Sequence, residues 1–328
     1  MTSPTSQIAI TRNDLKASLE EISLISEREG FIGLKVMPAI DVRSKADQFG
    51  RIPIEELLQA KDTVRAPDGG YARGNWKFEP DSYACIEHGY EEPVDEAEAR
   101  IYGDWFDAEV VSTERAYWQV LVNQEMRIAA KLYNTTTYTG SSLTTAITDE
   151  WDDYAAADPI TDVNNAKIKV WQGCGLWPNA ITLNETQFMH VRQCAQVIDA
   201  LQAAGAGVSA VQGDFTEAML AKAFGLKYVF VSRATKNTAN KGQAFSGSHI
   251  WSSEYASVLR VAENPNDIKE PCVGRTFHYV GDGSTIGGTV ETYRDESKRR
   301  DIVRVRQDVA EKTLIVQAAH LLSNVLTL

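Results

Sequence analysis

The sequence predicts an α+β fold with parts that reach beyond a single compact lobe. Three observations lead there. Strand-like and helix-like segments mix without the strand–helix–strand rhythm of a doubly wound sheet. An aromatic-rich extended stretch, Tyr71 to Glu92, runs straight into one long helical pattern, Asp95 to Tyr133. A polar N-terminal region with one amphipathic stretch precedes both, and no internal repeat of roughly 20–50 residues is visible.

The elements follow in order. Leu15, Leu19, Ile22 and Ile25 or Ser26 keep helical spacing, so a short helix is expected from Asn13 to Glu29, capped by Thr11 or Asn13. Phe31 to Val42 contains Gly33 and Pro38 and reads as extended. Pro67-Asp68-Gly69-Gly70 is a turn. Tyr71 to Glu79 and Tyr83 to Tyr90 then read as two strands about a turn at Pro80-Asp81, a long hairpin. A bare hairpin is marginal in water, so it must lie on its own domain or on another subunit.

Acidic residues cluster where the next helix begins, which suits the positive end of its dipole, and Asp95 with Glu98 has capping-box spacing. Ile101, Trp105, Ala108, Val111, Trp118, Leu121, Val122, Ile128, Ala129 and Leu132 fall mostly on one stripe, with Gly103 the one breaker. A single helix over that stretch would span roughly 55 Å.

Beyond it, Thr135 to Ser142 is a polar loop, and Asp158-Pro159 opens a helix running through Val170. Pro178 to Asn184 is a buried-type strand ending in a helix cap. Glu185 to Ala203 continues as helix until Gly205 and Gly207. Ala218 to Phe224 is a short helix closed by Gly225, and Leu226 to Ser232 is a strand. Ile250 to Val261 suggests more sheet. Thr276 to Val280 and Thr289 to Tyr293 flank a Gly-rich turn. Asp301 to Val309 alternates apolar and charged residues like a strand with one solvated face. Seven basic and five acidic residues between Arg294 and Lys312 suit either salt bridges between subunits or a solvated edge strand. Thr313 to Leu328 is apolar and expected in the core.

Composition narrows the function. The chain has 328 residues, 43% hydrophobic and 24% charged, as globular proteins do. No run of about 18 apolar residues suggests a transmembrane helix. Met1 to Ile10 lacks the pattern of a signal peptide, so a cytoplasmic origin is expected. The four scattered cysteines read as reduced thiols. A formal net charge of -12 argues against a nucleic-acid binder, whose affinity comes mainly from Lys and Arg on phosphates. It does not argue against a container for nucleic acid, whose wall should not adhere to its contents.

Motifs for chemistry are weak. Gly205 to Ala210 spells G-x-G-x-x-A but follows a helix-like stretch, whereas a dinucleotide fingerprint follows a strand. Cys85-x-x-His88 and His190-x-x-x-Cys194 are too far apart to read as a paired zinc site. No nucleophile elbow and no phosphate loop occur, and no catalytic, cofactor or metal residue is assigned. The competing class is a cytosolic enzyme with its site between two lobes.

The order of parts resembles the major capsid proteins of tailed bacteriophages, whose fold is shared with encapsulins and the herpesvirus capsid floor. Gly89-Tyr90-Glu91-Glu92-Pro93-Val94 resembles the junction before their spine helix. Trp177 to Asn184 is similar to their buried strand, Ala221 to Val231 to their helix–glycine–strand element, and Gly247 to Tyr255, with Trp251, to a strand of theirs. The resemblance implies an N-terminal arm (1–60), an extended hairpin loop (61–93), a spine helix of the peripheral domain (94–140), an axial domain (141–265), peripheral strands (266–305) and a C-terminal return to the axial domain (306–328). It implies self-assembly through pentamers and hexamers into an icosahedral head shell around double-stranded DNA, held without sequence-specific binding. No cofactor, no membrane and no catalysis are implied. Partners would be copies of itself, a separate scaffolding protein, a portal and a decoration protein, with assembly in the host bacterial cytoplasm. The hairpin would lie over the adjacent subunit's spine helix and bury Tyr71, Trp76, Phe78 and Tyr83 there. An encapsulin-like compartment shell is the alternative within the fold.

Overall fold

The computed structural model describes residues 10–11, 30–51, 53, 58–60, 62–65, 67, 69–74, 79–102, 107–203, 216–267, 269–281 and 283–327. The expected helix over 13–29, Trp76, Phe78 and the Gly205–Gly207 loop lie outside the described residues.

In chain order the first elements are β1 (Ile10–Thr11), a one-turn helix α1 (Gly33–Val36), β2 (Ala39–Val42), β3 (Ala46–Arg51), β4 (Glu79–Ala84) and β5 (Ile86–Asp95). Helices α2 (Glu96–Tyr102) and α3 (Ala108–Leu132) follow, then β6 (Thr144–Ala146), α4 (Pro159–Cys174) and β7 (Ala180–Asn184). Next come α5 (Glu185–Val191), α6 (Ala195–Ala203), α7 (Glu217–Phe224), β8 (Tyr228–Ser232), β9 (Thr235–Asn237), β10 (Gly247–His249) and β11 (Ala256–Leu259). The chain closes with β12 (Gly274–Tyr279), β13 (Thr289–Asp295), β14 (Arg300–Thr313) and β15 (Ala319–Ser323).

Two sheets organise the molecule. One, called the axial sheet after the domain its strands were expected in, runs β6-β15-β11-β7-β8, and the other is called the peripheral sheet for the same reason. Every residue of β7 and β11 is buried, as continuous apolar strands covered on both faces should be. Ile181, Leu183 and Val258 face a core with Trp151, Phe188, Leu220 and Phe224. Ala180, Leu259 and Leu321 face a second core with Trp251, Ile128 and Leu132. Local signals hold here. Asn184 and Gln187 form a reciprocal capping box at α5. Gly225 ends α7 in the left-handed conformation, and Pro159 opens α4. The apolar C-terminal stretch supplies β15, next to the middle strand β11.

The peripheral sheet is built on β14, 14 residues long. β5 pairs antiparallel along one edge, while β12 and β13 lie end to end along the other. β2 adds parallel to β12 and β1 antiparallel to β13. β14 is therefore a central strand and not a solvated edge, which was one of the two readings of its charges. The alternation is real but reports its two faces: Val303 and Val305 pack with Tyr117 and Val120 of α3, while Arg304 and Arg306 on the other face bind Glu291 of β13. The charges between 294 and 312, read as either bridges between subunits or a solvated edge, are largely satisfied within the chain. Arg294 meets Asp301 and Glu96, each at 3.2 Å. Arg300 meets Asp295 at 3.4 Å, Arg127 meets Glu311 at 2.8 Å, and Lys312 pairs with Asp81.

Three further expectations change. The rod over Asp95 to Tyr133 is two helices. β5 extends through Asp95, and Asp107, itself extended, caps a new start by accepting from Glu109 and Val110. The resulting α3 has 25 residues, about 37 Å. Its first half packs on the peripheral sheet and its second on the axial sheet, so one helix joins the two cores. The hairpin is also different. Pro80 and Asp81 lie inside β4, not at a turn, and β4 pairs with β3. Among the described residues β4 pairs on one side only, where a proline's missing N–H is tolerated; residues 52–78 form the connection. Finally, the helix expected over 185–203 breaks at 192–194 into α5 and α6. Among the described residues no helix is long and apolar enough to cross a membrane.

Candidate assembly surface

The hairpin is rigid at its base. Tyr83 stacks on Phe277 of β12 with ring centroids 4.5 Å apart and planes 8° from parallel, and Phe49 lies 6.0 Å from the same ring. The Tyr83 hydroxyl donates to the Ser44 carbonyl at 3.2 Å, and the Cys85 N–H donates to that of Lys45 at 2.7 Å. Lys312 adds its ammonium to Asp81 and to the Ser82 carbonyl. These contacts aim β3 and β4 from the peripheral sheet.

Further out, the described residues of the loop are organised, with Leu58 set beside Gly175 at the end of α4 and others left open to solvent. Arg65 Nε donates to the Gly69 carbonyl at 2.7 Å, and its guanidinium lies 4.9 Å over the Tyr71 ring. Val64 N–H donates to Asp62 at 2.9 Å. Val64 and Tyr71 are 84% and 74% exposed, and Leu58 is exposed as well. A turn that fixes its own shape while showing apolar side chains has the form of a contact surface. Of the four aromatic residues singled out from sequence, Tyr71 projects, Tyr83 is half-buried on its own subunit, and Trp76 and Phe78 lie outside the described residues. Sequence reasoning missed Phe49 and Phe277. Phe49 carried one signal, a large ring in an otherwise polar stretch.

The root of the N-terminal region is fixed by a buried carboxylate. Glu125 of α3 accepts from the Ile32 and Gly33 N–H groups at 2.9 and 2.8 Å and from Trp251 Nε1 at 2.7 Å. Burial pushes its pKa up, against the pull of those three donors and of Lys35. A side chain at Gly33 would meet Glu125 Oε2 at 2.5 Å and Ile128 Cδ1 at 2.8 Å, so glycine lets the backbone come this close to Glu125, and the stretch expected to be extended turns here as α1. Phe31 packs edge-on against Trp118, with centroids 5.2 Å apart.

The chemistry-bearing residues do not converge. Cys85 lies in the core around Phe277, and Cys194 in the axial core, its thiol donating to the Trp151 carbonyl at 3.3 Å. His190 Nδ1 shares a 2.9 Å hydrogen bond with the Tyr154 hydroxyl. All four cysteines are free and buried. Burial raises Cys85 to about 11 and Cys194 to about 12, so neither is a ready nucleophile. Among the described residues no group of three or more His, Cys, Asp or Glu could hold a metal ion.

No protein-family model matches the chain, and no curated protein matches it in sequence. Solved structures do match along nearly its whole length. A phage-related protein from Bordetella bronchiseptica RB50 superposes with a TM-score of 0.70 at 18% identity, covering 97% of this chain and 99% of that one. The capsid of Cyanophage P-SCSP1u gives 0.57 at 10% identity, with 88% and 86% covered. The virus-like particle from Pyrococcus furiosus gives 0.54 at 12% identity, with 94% and 98% covered. The fold is thus that of shell-forming proteins. More specifically, the chain has the α+β major-capsid fold of tailed phages, as its order of segments suggested.

Proposed function

We propose that this chain is the major coat subunit of a tailed-phage head. Copies assemble through pentamers and hexamers into an icosahedral shell that encloses double-stranded DNA without reading its sequence. The observation that carries this reading is the pairing of a whole-length capsid fold with a rigidly based hairpin whose loop exposes Val64 and Tyr71. Subunits meet head to tail, a heterologous contact that closes into rings. The axial sheet forms the ring centre, the peripheral sheet and α3 the rim. The hairpin reaches the adjacent subunit, with Tyr71, Trp76 and Phe78 as its anchors, since aromatic residues commonly carry such contacts. Tyr83 belongs to the base. No covalent step is needed. A separate scaffolding protein, a portal and a decoration protein complete the virion, assembled in the host bacterial cytoplasm.

The test is negative-stain microscopy of the purified chain, alone and coexpressed with its neighbouring reading frames. Closed particles or capsomer rings are expected. A stable small oligomer that never forms either would remove the reading and favour the two-lobed enzyme. The likeness to a virus-like particle supports a second reading, a compartment shell. Particles that close without a scaffold and hold a protein cargo would select it.

A further inference from the structure

Between β5 and α3 lies an open pocket of about 270 Å³. Three consecutive strand residues, His88, Gly89 and Tyr90, form one wall, and Val120, Asn123 and Arg127 of α3 form the other. Two buried amides are neighbours of its lining residues. Gln307 stands opposite His88 in the β5–β14 ladder, on the same face of the sheet. It is fully buried, and neither its Oε1 nor its Nε2 has a partner among the described residues. Gln124, beside Asn123 on the helix, is 2% exposed, and its Nε2 is unpartnered in the same sense. Buried amides left unpaired destabilise a fold, and each calls for an occupant.

The lining offers mostly donors. Arg127 Nε and Nη2 hold Glu311 Oε1 at 3.0 and 2.8 Å, so that carboxylate is already engaged. Asn123 Nδ2 returns to the Gln119 carbonyl at 2.8 Å. Burial, and then Arg127, keep the His88 imidazole below its usual pKa, against the opposite pull of Glu311 and Asp308. Asp308 is itself paired with Lys45 at 2.7 Å. The ring is therefore neutral at pH 7 and has an N–H to give. What His88 and the Gln124 Nε2 lack is an acceptor, and a negatively charged one would sit well beside Arg127 and His88.

We propose that this pocket is a carboxylate-binding site, contacted by His88, Arg127 and Asn123, with the Gln124 amide completing it. Its volume lies below the roughly 300–1,000 Å³ of sites for larger ligands, so it suits one acidic side chain, a chain terminus or a small dicarboxylate. An acidic group of a second copy and a free small carboxylate share this chemistry. The inference rests on the pocket itself and not on the shell reading.

The test follows the His88 imidazole by NMR in the full chain, assigned with His88→Asn, at constant pH and ionic strength. Added succinate is expected to shift it saturably and to raise its titration midpoint by about one pH unit, because a bound carboxylate favours the imidazolium. Gln124→Leu should abolish that response and leave the chain folded. An equivalent shift on assembly without succinate would assign the occupant to a second copy; a response to succinate alone would assign it to the small molecule. If neither succinate nor assembly moves the resonance, or if chloride moves it as much, the site does not exist, whatever particles the chain forms.

Discussion

The axial sheet is apolar on both faces, whereas the face of the peripheral sheet away from α3 is divided, apolar around Phe277 of β12 and charged along β13. In the first, β7 and β11 sit between two hydrophobic cores. In the second, the face away from α3 carries Arg304 and Arg306 on Glu291, extended by the Arg294–Asp301 and Arg300–Asp295 pairs. Apolar burial is insensitive to salt and acid, whereas partly solvated ion pairs respond to both. One sheet is therefore expected to behave as a fixed block and the other as a plate that responds to salt and acid. The hairpin hangs from the plate, and α3 couples the two.

The largest expected effect severs that hairpin from both. Replacing residues 53–77 by a short Gly-Ser turn keeps β3 paired with β4 and leaves both sheets complete. Circular dichroism and thermal unfolding should then stay near those of the parent chain, while closed particles disappear from micrographs. Normal shells from this variant would show that the plate does not work through its loop. Next in size is the α3 coupling. Glu125→Ala leaves the N–H groups of Ile32, Gly33 and Trp251 buried without their acceptor, at a cost of about 2–4 kcal/mol. Urea unfolding should show it as a lower midpoint. Glu125→Gln, which keeps an acceptor oxygen, should lose about half as much. If the two substitutions cost the same, the carboxylate is not the tie between arm root, helix and axial sheet.

The two sheets also differ in how far the sequence announced them. The axial strands were legible because each is a short apolar run beside a strong local stop, such as the Asn184 cap or Gly225. β14 was legible as a strand but not in its place. Alternation records which residues face α3, and it is the same for an edge strand and for one paired on both sides. The hairpin was misplaced because β3 is polar, Ala-Asp-Gln-Phe-Gly-Arg, and its partner lies across a 27-residue connection that no local signal spans. The single rod over 95–133 failed at Asp107, whose capping role depends on geometry at residues the helical period runs straight through. Of the assembly surface, Tyr71 could be chosen from its neighbours in sequence. Tyr83 could not be told from it, because what distinguishes them is Phe277, nearly two hundred residues away.

The smaller effects compare one ion-pair cluster from each sheet. Glu291→Gln removes the carboxylate shared by Arg304 and Arg306. With both arginines partly solvated, the loss should be about 1 kcal/mol in dilute buffer and less at high salt. Lys227→Met breaks the exposed 2.6 Å pair with Glu263 beside the axial sheet, and unfolding should not change measurably at any salt concentration. Acid should separate the sheets in the same order. Burial raises the Glu291 pKa, but Arg304 and Arg306 outweigh it and hold the carboxyl below its ordinary range. A depressed value means a contribution complete above the unfolded carboxylate pKa and lost as pH falls through the folded one. Asp162, packed under Trp151 in the axial half, is shifted the other way, by burial first, with Asp158 and Asp149 adding to it against the Trp151 hydrogen bond. Its contribution is full below the unfolded pKa and is lost as pH rises through the folded value. Lowering pH below about 4, through the depressed Glu291 value, should therefore strip hydrogen-exchange protection from β13 and β14 before β7 and β11, once intrinsic rates are corrected. Simultaneous loss in both sheets would mean that α3 binds them into one cooperative unit, and that the plate has no independent adjustment to offer.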